Sequence, residues 1–232
     1  MRALIGSDVR EDLTDDDLRE LYAAPSTPWL RVNMVATVDG AATGESGKSG
    51  SINNEPDHRV FNLLRELCDA VVVGAGTLRT EGYVPLRKPL VVVTRSGLVP
   101  DRLRGAERGR VRMATCERAE YLDQARELLG EECVHVLGEQ QVDLAALKAE
   151  LVELGLMDLL SEGGPQLLRH MLAQGTVDEL TATFVPRLLA GPFPRMTTGL
   201  PIDVPLQLAV LLEEDSTLLG RWFTRAGLPA RS

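Results

Sequence analysis

Two glycine-bearing segments, Val71-Val72-Val73-Gly74-Ala75-Gly76-Thr77 and Leu159-Leu160-Ser161-Glu162-Gly163-Gly164-Pro165, each follow an apolar run and open a helix-like pattern. A strand that ends in glycines and turns into a helix brings free backbone N–H groups and the positive end of a helix dipole to one spot, which suits a phosphate. Two such spots suit the doubly phosphorylated backbone of a dinucleotide; the competing reading is that glycines merely punctuate αβ turns. Gly74 and Gly76 do not form G-x-G-x-x-G, because position 79 is Arg, and no acidic residue closes the next strand. That strand runs instead into Thr94-Arg95-Ser96. An arginine between two hydroxyls at a strand's carboxyl end favours a 2′-phosphate, hence NADPH over NADH, against the alternative of a solvated turn arginine.

Gly44-Glu45-Ser46-Gly47-Lys48-Ser49 ends like a phosphate-binding P-loop, but the first glycine of that motif falls on Ala42 and no strand runs directly into it. It reads as a loop of small hydroxyl residues, Ser46, Ser49 and Ser51, able to line a polar ligand site. Arg65 lies at the edge of an apolar helix face formed by Val60, Phe61, Leu63, Leu64 and Leu67, where a site role and simple snorkelling compete. Asp39-Gly40 reads first as turn chemistry. Glu162 is less ordinary. A carboxylate beside a phosphate-binding turn is repelled unless it faces a second ligand.

These residues need elements to hold them. Thr14 followed by three aspartates predicts a capped helix that Pro25 and Pro28 end. From Trp29 onward, strand-like runs at 30–37, 70–73, 89–94, 110–115, 133–137 and 157–161 mostly alternate with helix-like runs at 56–68, 120–129, 143–154 and 165–174. That order predicts an α/β sheet with helices on both faces. Leu144, Leu147, Leu151 and Leu154 form one stripe for packing on it. The segments 177–185, 207–213 and 218–225 read as strands without intervening helices, so the sheet is expected to end antiparallel. The expected organisation is an N-terminal helical extension over 1–28 and one unit over 29–225.

A net charge of −9 argues against a nucleic-acid or basic membrane surface, so an anionic ligand must meet a local positive pocket. The three cysteines form no C-x-x-C and the three histidines no H-x-E or H-E-x-x-H, which predicts reduced thiols and no metal site. With no signal-like segment and no long apolar run, the expected location is the cytoplasm.

Taken together, Arg31 to Gly40, the Gly47 to Asn54 loop, Val73 to Thr77 and Ser161 to Pro165 resemble the riboflavin-pathway pyrimidine reductases, nearest to their stand-alone actinobacterial branch. The resemblance runs from about Trp29 to Phe223. It implies a dihydrofolate-reductase-like mixed sheet, a homodimer, and NADPH-dependent reduction of 5-amino-6-(5-phosphoribosylamino)uracil, a small phosphorylated pyrimidine. It further implies that Val35, Ser51, Thr77 and Glu81 approach the cofactor, with Gly164, Pro165, Gln166, Leu167 and Leu168, on toward His170, wrapping its phosphates; the glycine-turn reading adds Gly74, Gly76 and Gly163. Asn33, Ser49, Arg65 and Glu162 fall on the substrate side; the candidates for protonating the nitrogen are Asp39, Glu162 and water. The sequence departs from the family at Asn33, where many members have lysine, at Ser51, where many have tryptophan, and over Thr77 to Tyr83. A dihydrofolate-type or other heterocycle reductase and a non-catalytic NADP-binding sensor therefore stay open as alternatives. The fused zinc deaminase of bifunctional relatives has no counterpart motif.

Overall fold

The computed structural model describes residues 1–6, 11–225 and 227–228. Its strands are β1 (Arg2–Ile5), β2 (Trp29–Thr37), β3 (Ala70–Gly74), β4 (Leu90–Val93), β5 (Val111–Thr115), β6 (Val134–Val136), β7 (Asp158–Ser161), β8 (Glu179–Val185), β9 (Gln207–Glu214) and β10 (Thr217–Phe223). The helices are α1 (Asp15–Tyr22), α2 (Glu55–Leu67), α3 (Ala75–Glu81), α4 (Leu122–Leu129), α5 (Leu144–Glu153) and α6 (Pro165–Ala173). All strands join one sheet in the order β1-β9-β10-β8-β2-β7-β3-β4-β5-β6. The stretch from β8 to β6 is parallel, whereas β10, β9 and β1 extend it antiparallel. The expected mixed α/β sheet with antiparallel C-terminal strands is what the chain adopts.

Alternation along the central strands explains the two covered faces. Val71 and Val73 of β3 pack with Val60 and Leu64 of α2, Leu18 and Tyr22 of α1, and Leu78 of α3. Val72 points the other way, to Leu147 and Leu151 of α5 and Leu167, Leu168 and Met171 of α6. The leucine stripe of α5 stops one residue short of expectation: Leu154 is the C-cap, 49 % exposed, and Gly155 at φ +81° turns the chain away. The first 28 residues hold more than a helix, because β1 pairs with β9 and adds an edge strand whose four residues carry no sequence signal of their own.

Helix α1 begins as Thr14 dictates: its hydroxyl accepts the Asp17 N–H at 3.2 Å, and the Asp17 carboxylate accepts the Thr14 N–H at 2.8 Å. Its last carbonyls are satisfied from the sheet. Arg31 of β2 donates to Tyr22 O at 2.5 Å, and Arg221 of β10 donates to Ala23 O at 2.9 Å and to Leu21 O. Both guanidiniums are held by Glu179 of β8, at 2.5 Å from Arg31 and 2.8 Å from Arg221, and Trp29 Nε1 donates to the same carboxylate at 2.9 Å. Arg31 and Glu179 are fully buried, so removing the central charge leaves two cations without compensation. Glu179→Gln is expected to lower the unfolding free energy by about 3–5 kcal/mol, measured as a shifted urea midpoint at unchanged slope.

Asp158, at the start of β7, has the opposite energetics. Its Oδ1 is buried without a hydrogen-bond partner among the described residues, and burial raises its pKa from 3.8 to about 6. A carboxyl raised in the folded state stabilises the fold below its unfolded pKa, and that contribution is lost as pH climbs through the folded value. Asp158→Asn is therefore expected to gain on the order of 1–2 kcal/mol above pH about 6, after allowance for partial solvent screening. Thermal unfolding across a pH series should show that gain vanish near pH 4.

Candidate active site

The two glycine turns meet. Strands β3 and β7 are parallel neighbours in which Val72 pairs with Ser161, so both chains turn at the same level. Gly74 N–H donates to Gly163 O at 2.8 Å, and Glu162 N–H donates to Val72 O at 3.0 Å, tying one turn to the other. Only glycine fits here. A Cβ on Gly164 would stand 2.2 Å from Thr77 Oγ1, and one on Gly163, whose φ is +74°, would stand 2.8 Å from Met34 Sδ. Helix α6 starts at Gly164 with Pro165 in its first turn, opening its N-terminal N–H groups toward the gap.

Beside this junction lies a cleft of about 1470 Å³, at the carboxyl ends of the parallel strands where α/β sheets bind ligands. Its volume exceeds what one small ligand fills, leaving room for a dinucleotide and a second molecule. Of the sequence-predicted residues, Asn33, Val35, Ser49, Arg65, Glu81 and Glu162 line it from the β2, loop, α2 and α3 sides. Gly74, Gly76, Thr77, Gly164, Pro165, Gln166 and Leu167 line the glycine junction, and Thr94, Arg95 and Ser96 the far wall.

Four predicted residues are not brought to the cleft. Asp39 is exposed and serves its own turn: its carboxylate accepts from the Thr37 hydroxyl and from Leu189 N–H at 3.1 Å, which lowers its pKa. Ser51 closes the hydroxyl loop on itself, donating to Lys48 O at 2.7 Å and accepting from Gly44 N–H at 2.9 Å. Gly163 lies under the junction, its carbonyl spent on Gly74. Leu168 is 1 % exposed and belongs to the core below α6, because it is on the helix face turned to the sheet.

Glu162 and Arg65, 97 positions apart, form a forked pair: Nε to Oε1 at 2.6 Å and Nη2 to Oε2 at 2.8 Å. Tyr83 donates its hydroxyl to the same Oε2. The guanidinium carbon stands 4.3 Å over the Phe61 ring and 5.7 Å from that of Tyr83. The Glu162 side chain is 3 % exposed and that of Arg65 30 %. Burial opposes the Arg65 charge, yet hydrogen bonding and charge from Glu162 outweigh it and raise its pKa. Burial, then the Glu162 charge, pushes the Tyr83 phenol up. Arg65 thus compensates the charge of the carboxylate that the sequence places beside the glycine turn.

Two further features escaped the sequence reading. Asp57, Phe61 and Arg65 of α2 all line the cleft, at the four-residue spacing of one helix face. Asp57 is 4 % exposed; burial raises its pKa, and the facing Thr183 hydroxyl offsets part of that. On the opposite wall, His170 feels burial and then the charges of Arg169 and Arg95, which lower its pKa and mark a concentration of positive charge. The hydroxyl loop is moored by Ser49 N–H donating to Glu81 Oε1 at 2.8 Å.

The family model described as the RibD C-terminal domain matches residues 28–218. The 2,5-diamino-6-ribosylamino-4(3H)-pyrimidinone 5′-phosphate reductase of Archaeoglobus fulgidus is 31 % identical over 182 residues, covering 71 % of this chain and 83 % of that protein. The riboflavin biosynthesis protein RibD of Chlamydia trachomatis is 30 % identical over 202 residues, 81 % of this chain, which spans about half (52 %) of that longer relative. Among solved structures, a pyrimidine reductase-like protein of Corynebacterium diphtheriae superposes with a TM-score of 0.71 at 23 % identity, over 85 % of this chain and 92 % of that one, a likeness of fold.

The glycine junction makes a physical claim independent of any ligand. Gly164→Ala is expected to cost about 1–3 kcal/mol through the clash with Thr77, and Thr77→Ala in the same chain to restore most of it. Equal melting temperatures for the single variant and the parent, measured without ligand, would count against the close approach.

Proposed function

The chain belongs to the RibD C-terminal domain family, and from that membership we propose that residues 29–225 form an NADPH-dependent reductase of a phosphoribosylaminopyrimidine in riboflavin biosynthesis. The substrate expected from the sequence is 5-amino-6-(5-phosphoribosylamino)uracil; the named relative acts on the 2-amino counterpart. The observation that carries the reading is the junction of Gly74–Gly76 with Gly163–Pro165. It separates a cationic wall, Arg95 and Arg169 with the His170 ring beside them, from the Arg65–Glu162–Tyr83 cluster. Helices α6 and α2, which carry parts of these two groups, pack on opposite faces of the sheet.

The donor set fits NADPH. Backbone N–H groups at the junction and the α6 N-terminus suit its pyrophosphate, while Thr94, Arg95 and Ser96 suit a 2′-phosphate. Bound there, NADPH supplies the hydride that reduces C1′ of the ring-opened imine form of the substrate, whose nitrogen takes up a proton. The protein's contribution is position and charge complementarity. Arg65 spends Nε and Nη2 on Glu162 and keeps Nη1 for the substrate phosphate. Glu162, with both oxygens engaged by Arg65 and Tyr83, fixes that cation and is not placed to donate a proton. Asn33 and Ser49 line the substrate side, and the Ser49 mooring to Glu81 holds the loop over the cleft.

The far end of the sheet supports the reading of a homodimer. Leu180 and Phe184 of β8, Leu218 and Trp222 of β10 and Leu211 of β9 share one face by register and are only partly covered. Covering such a face is what a second copy does.

Purified protein should oxidise NADPH with a phosphoribosylaminopyrimidine and not with dihydrofolate; tight NADPH binding without oxidation by either would sink the reductase reading in favour of a sensor. Arg95→Ala should weaken NADPH binding by about tenfold or more, on the order of 1.4 kcal/mol, with NADH affinity unchanged. Arg65→Ala should raise the KM for the phosphorylated pyrimidine by at least about tenfold at unchanged NADPH affinity.

A further inference from the structure

Asp57 is a buried carboxyl in a ligand cleft that the chemistry above does not use. Its place in the first turn of α2 explains why a charge is tolerated, since the dipole of that thirteen-residue helix favours an anion there. It does not explain why the side chain is directed into the cleft and 4 % exposed, when an acid serving only the helix end would stand in water. Its neighbourhood is built. Thr181 and Thr183 alternate on β8, so both point to one face. Thr183 faces Asp57, while the Thr181 hydroxyl donates to Asn33 Oδ1 at 3.0 Å. With Oδ1 engaged, Asn33 has its NH₂ to offer a ligand. The cleft thus presents a carboxylate, two acceptors, beside an amide donor, and the apolar wall of Phe61 adjoins them.

We propose that Asp57 reads the pyrimidine at its 2-position and selects the 2-amino ring over the uracil. This rests on the reductase reading and names its substrate. The 2-amino-4(3H)-pyrimidinone ring carries its exocyclic NH₂ and N3–H side by side, two donors that a carboxylate accepts together. Its C4 carbonyl then faces a donor, as Asn33 provides. Uracil has a carbonyl in place of the NH₂, so one carboxylate oxygen meets a like-charged oxygen and loses its bond. The Glu162 carboxylate, taken by Arg65 and Tyr83, is not free for this edge.

The isosteric Asp57→Asn exchange separates this from a structural role. A carboxamide accepts from N3–H and donates to a 2-carbonyl, so it suits uracil. Ring preference is read twice: as kcat/KM with 2,5-diamino-6-ribosylamino-4(3H)-pyrimidinone 5′-phosphate and with 5-amino-6-(5-phosphoribosylamino)uracil, and as calorimetric Kd of both ribityl products with NADP⁺ present. The parent is expected to favour the 2-amino ring by about 100-fold or more. Asp57→Asn should reverse the order, losing on the 2-amino ring and gaining on uracil, at unchanged melting temperature and NADP⁺ affinity. Equal handling of the rings by the parent, a preference for uracil, or a loss in the variant that is equal for both rings overturns the proposal. Absent turnover with discriminating product binding would reject the reductase reading and leave the ring assignment standing.

Discussion

The hydrogen bond from Gly74 to Gly163 is the constraint on which the site depends. Two parallel strands can be neighbours anywhere along their lengths, but here they end close together, and the second residue past β7 accepts from the last residue of β3. That contact brings two strand-to-helix turns to van der Waals distance, with Thr77 against the Gly164 backbone and Met34 against Gly163. No side chain can enter. The surface left at the junction is therefore backbone, rich in N–H groups, in a chain whose net charge is −9. The positive charge of the cleft is local, with Arg95 and Arg169 on one wall and Arg65 on the other, as an anionic ligand would require.

Two carboxylate–guanidinium clusters show how burial sorts structure from function. Glu179 with Arg31 and Arg221 is sealed, and its remaining donors go to the end of α1. Apart from Arg221 Nε, which is buried without a partner among the described residues, the groups that form the cluster's bonds are spent within the fold, so the cluster fixes where α1 sits. Glu162 with Arg65 has a similar fork, but Arg65 keeps a face toward the cleft and an aromatic ring beneath it. A cation held in place by a buried partner and still open on one side pays little reorganisation when a phosphate arrives.

Much of this was legible in the sequence. The parallel strands and the helices after β5, β6 and β7 fall within one or two residues of the periodicity, because apolar alternation and the caps that end it are local properties. The glycine turns were legible as strand-to-helix turns because the signal lies in contiguous residues. What escaped was long-range. Arg65 and Glu162 are separated by 97 positions, and neither residue's surroundings reveal the other. Ser51 enters the site by resemblance and Asp39 as a proton-donor candidate, yet Ser51 bonds within its own loop and Asp39 bonds Thr37 and the distant Leu189, partners that no local pattern reveals. Strand β1 exists because β9 offers it an edge, not because Arg2–Ile5 is a strand-forming segment.

The face of α2 does have a signal, read too narrowly. The sequence reading places Phe61 in the apolar face and Arg65 at its edge, whereas Asp57, Phe61 and Arg65 form one line that faces the cleft. A helix rises about 1.5 Å per residue, so eight positions place an anion and a cation about 12 Å apart on one rigid rod, with an aromatic ring between them. A ribosylaminopyrimidine phosphate is itself a rod of that kind: a hydrogen-bonding heterocycle at one end, a dianion at the other, and a carbon chain between. On the proposed reading, one helix presents a partner to each end of such a molecule without a moving part. The arrangement also accounts for the burial at each end of the line. Asp57 is packed against β8 and Arg65 is locked to β7 through Glu162, so the spacing is set by the sheet as well as by the helix.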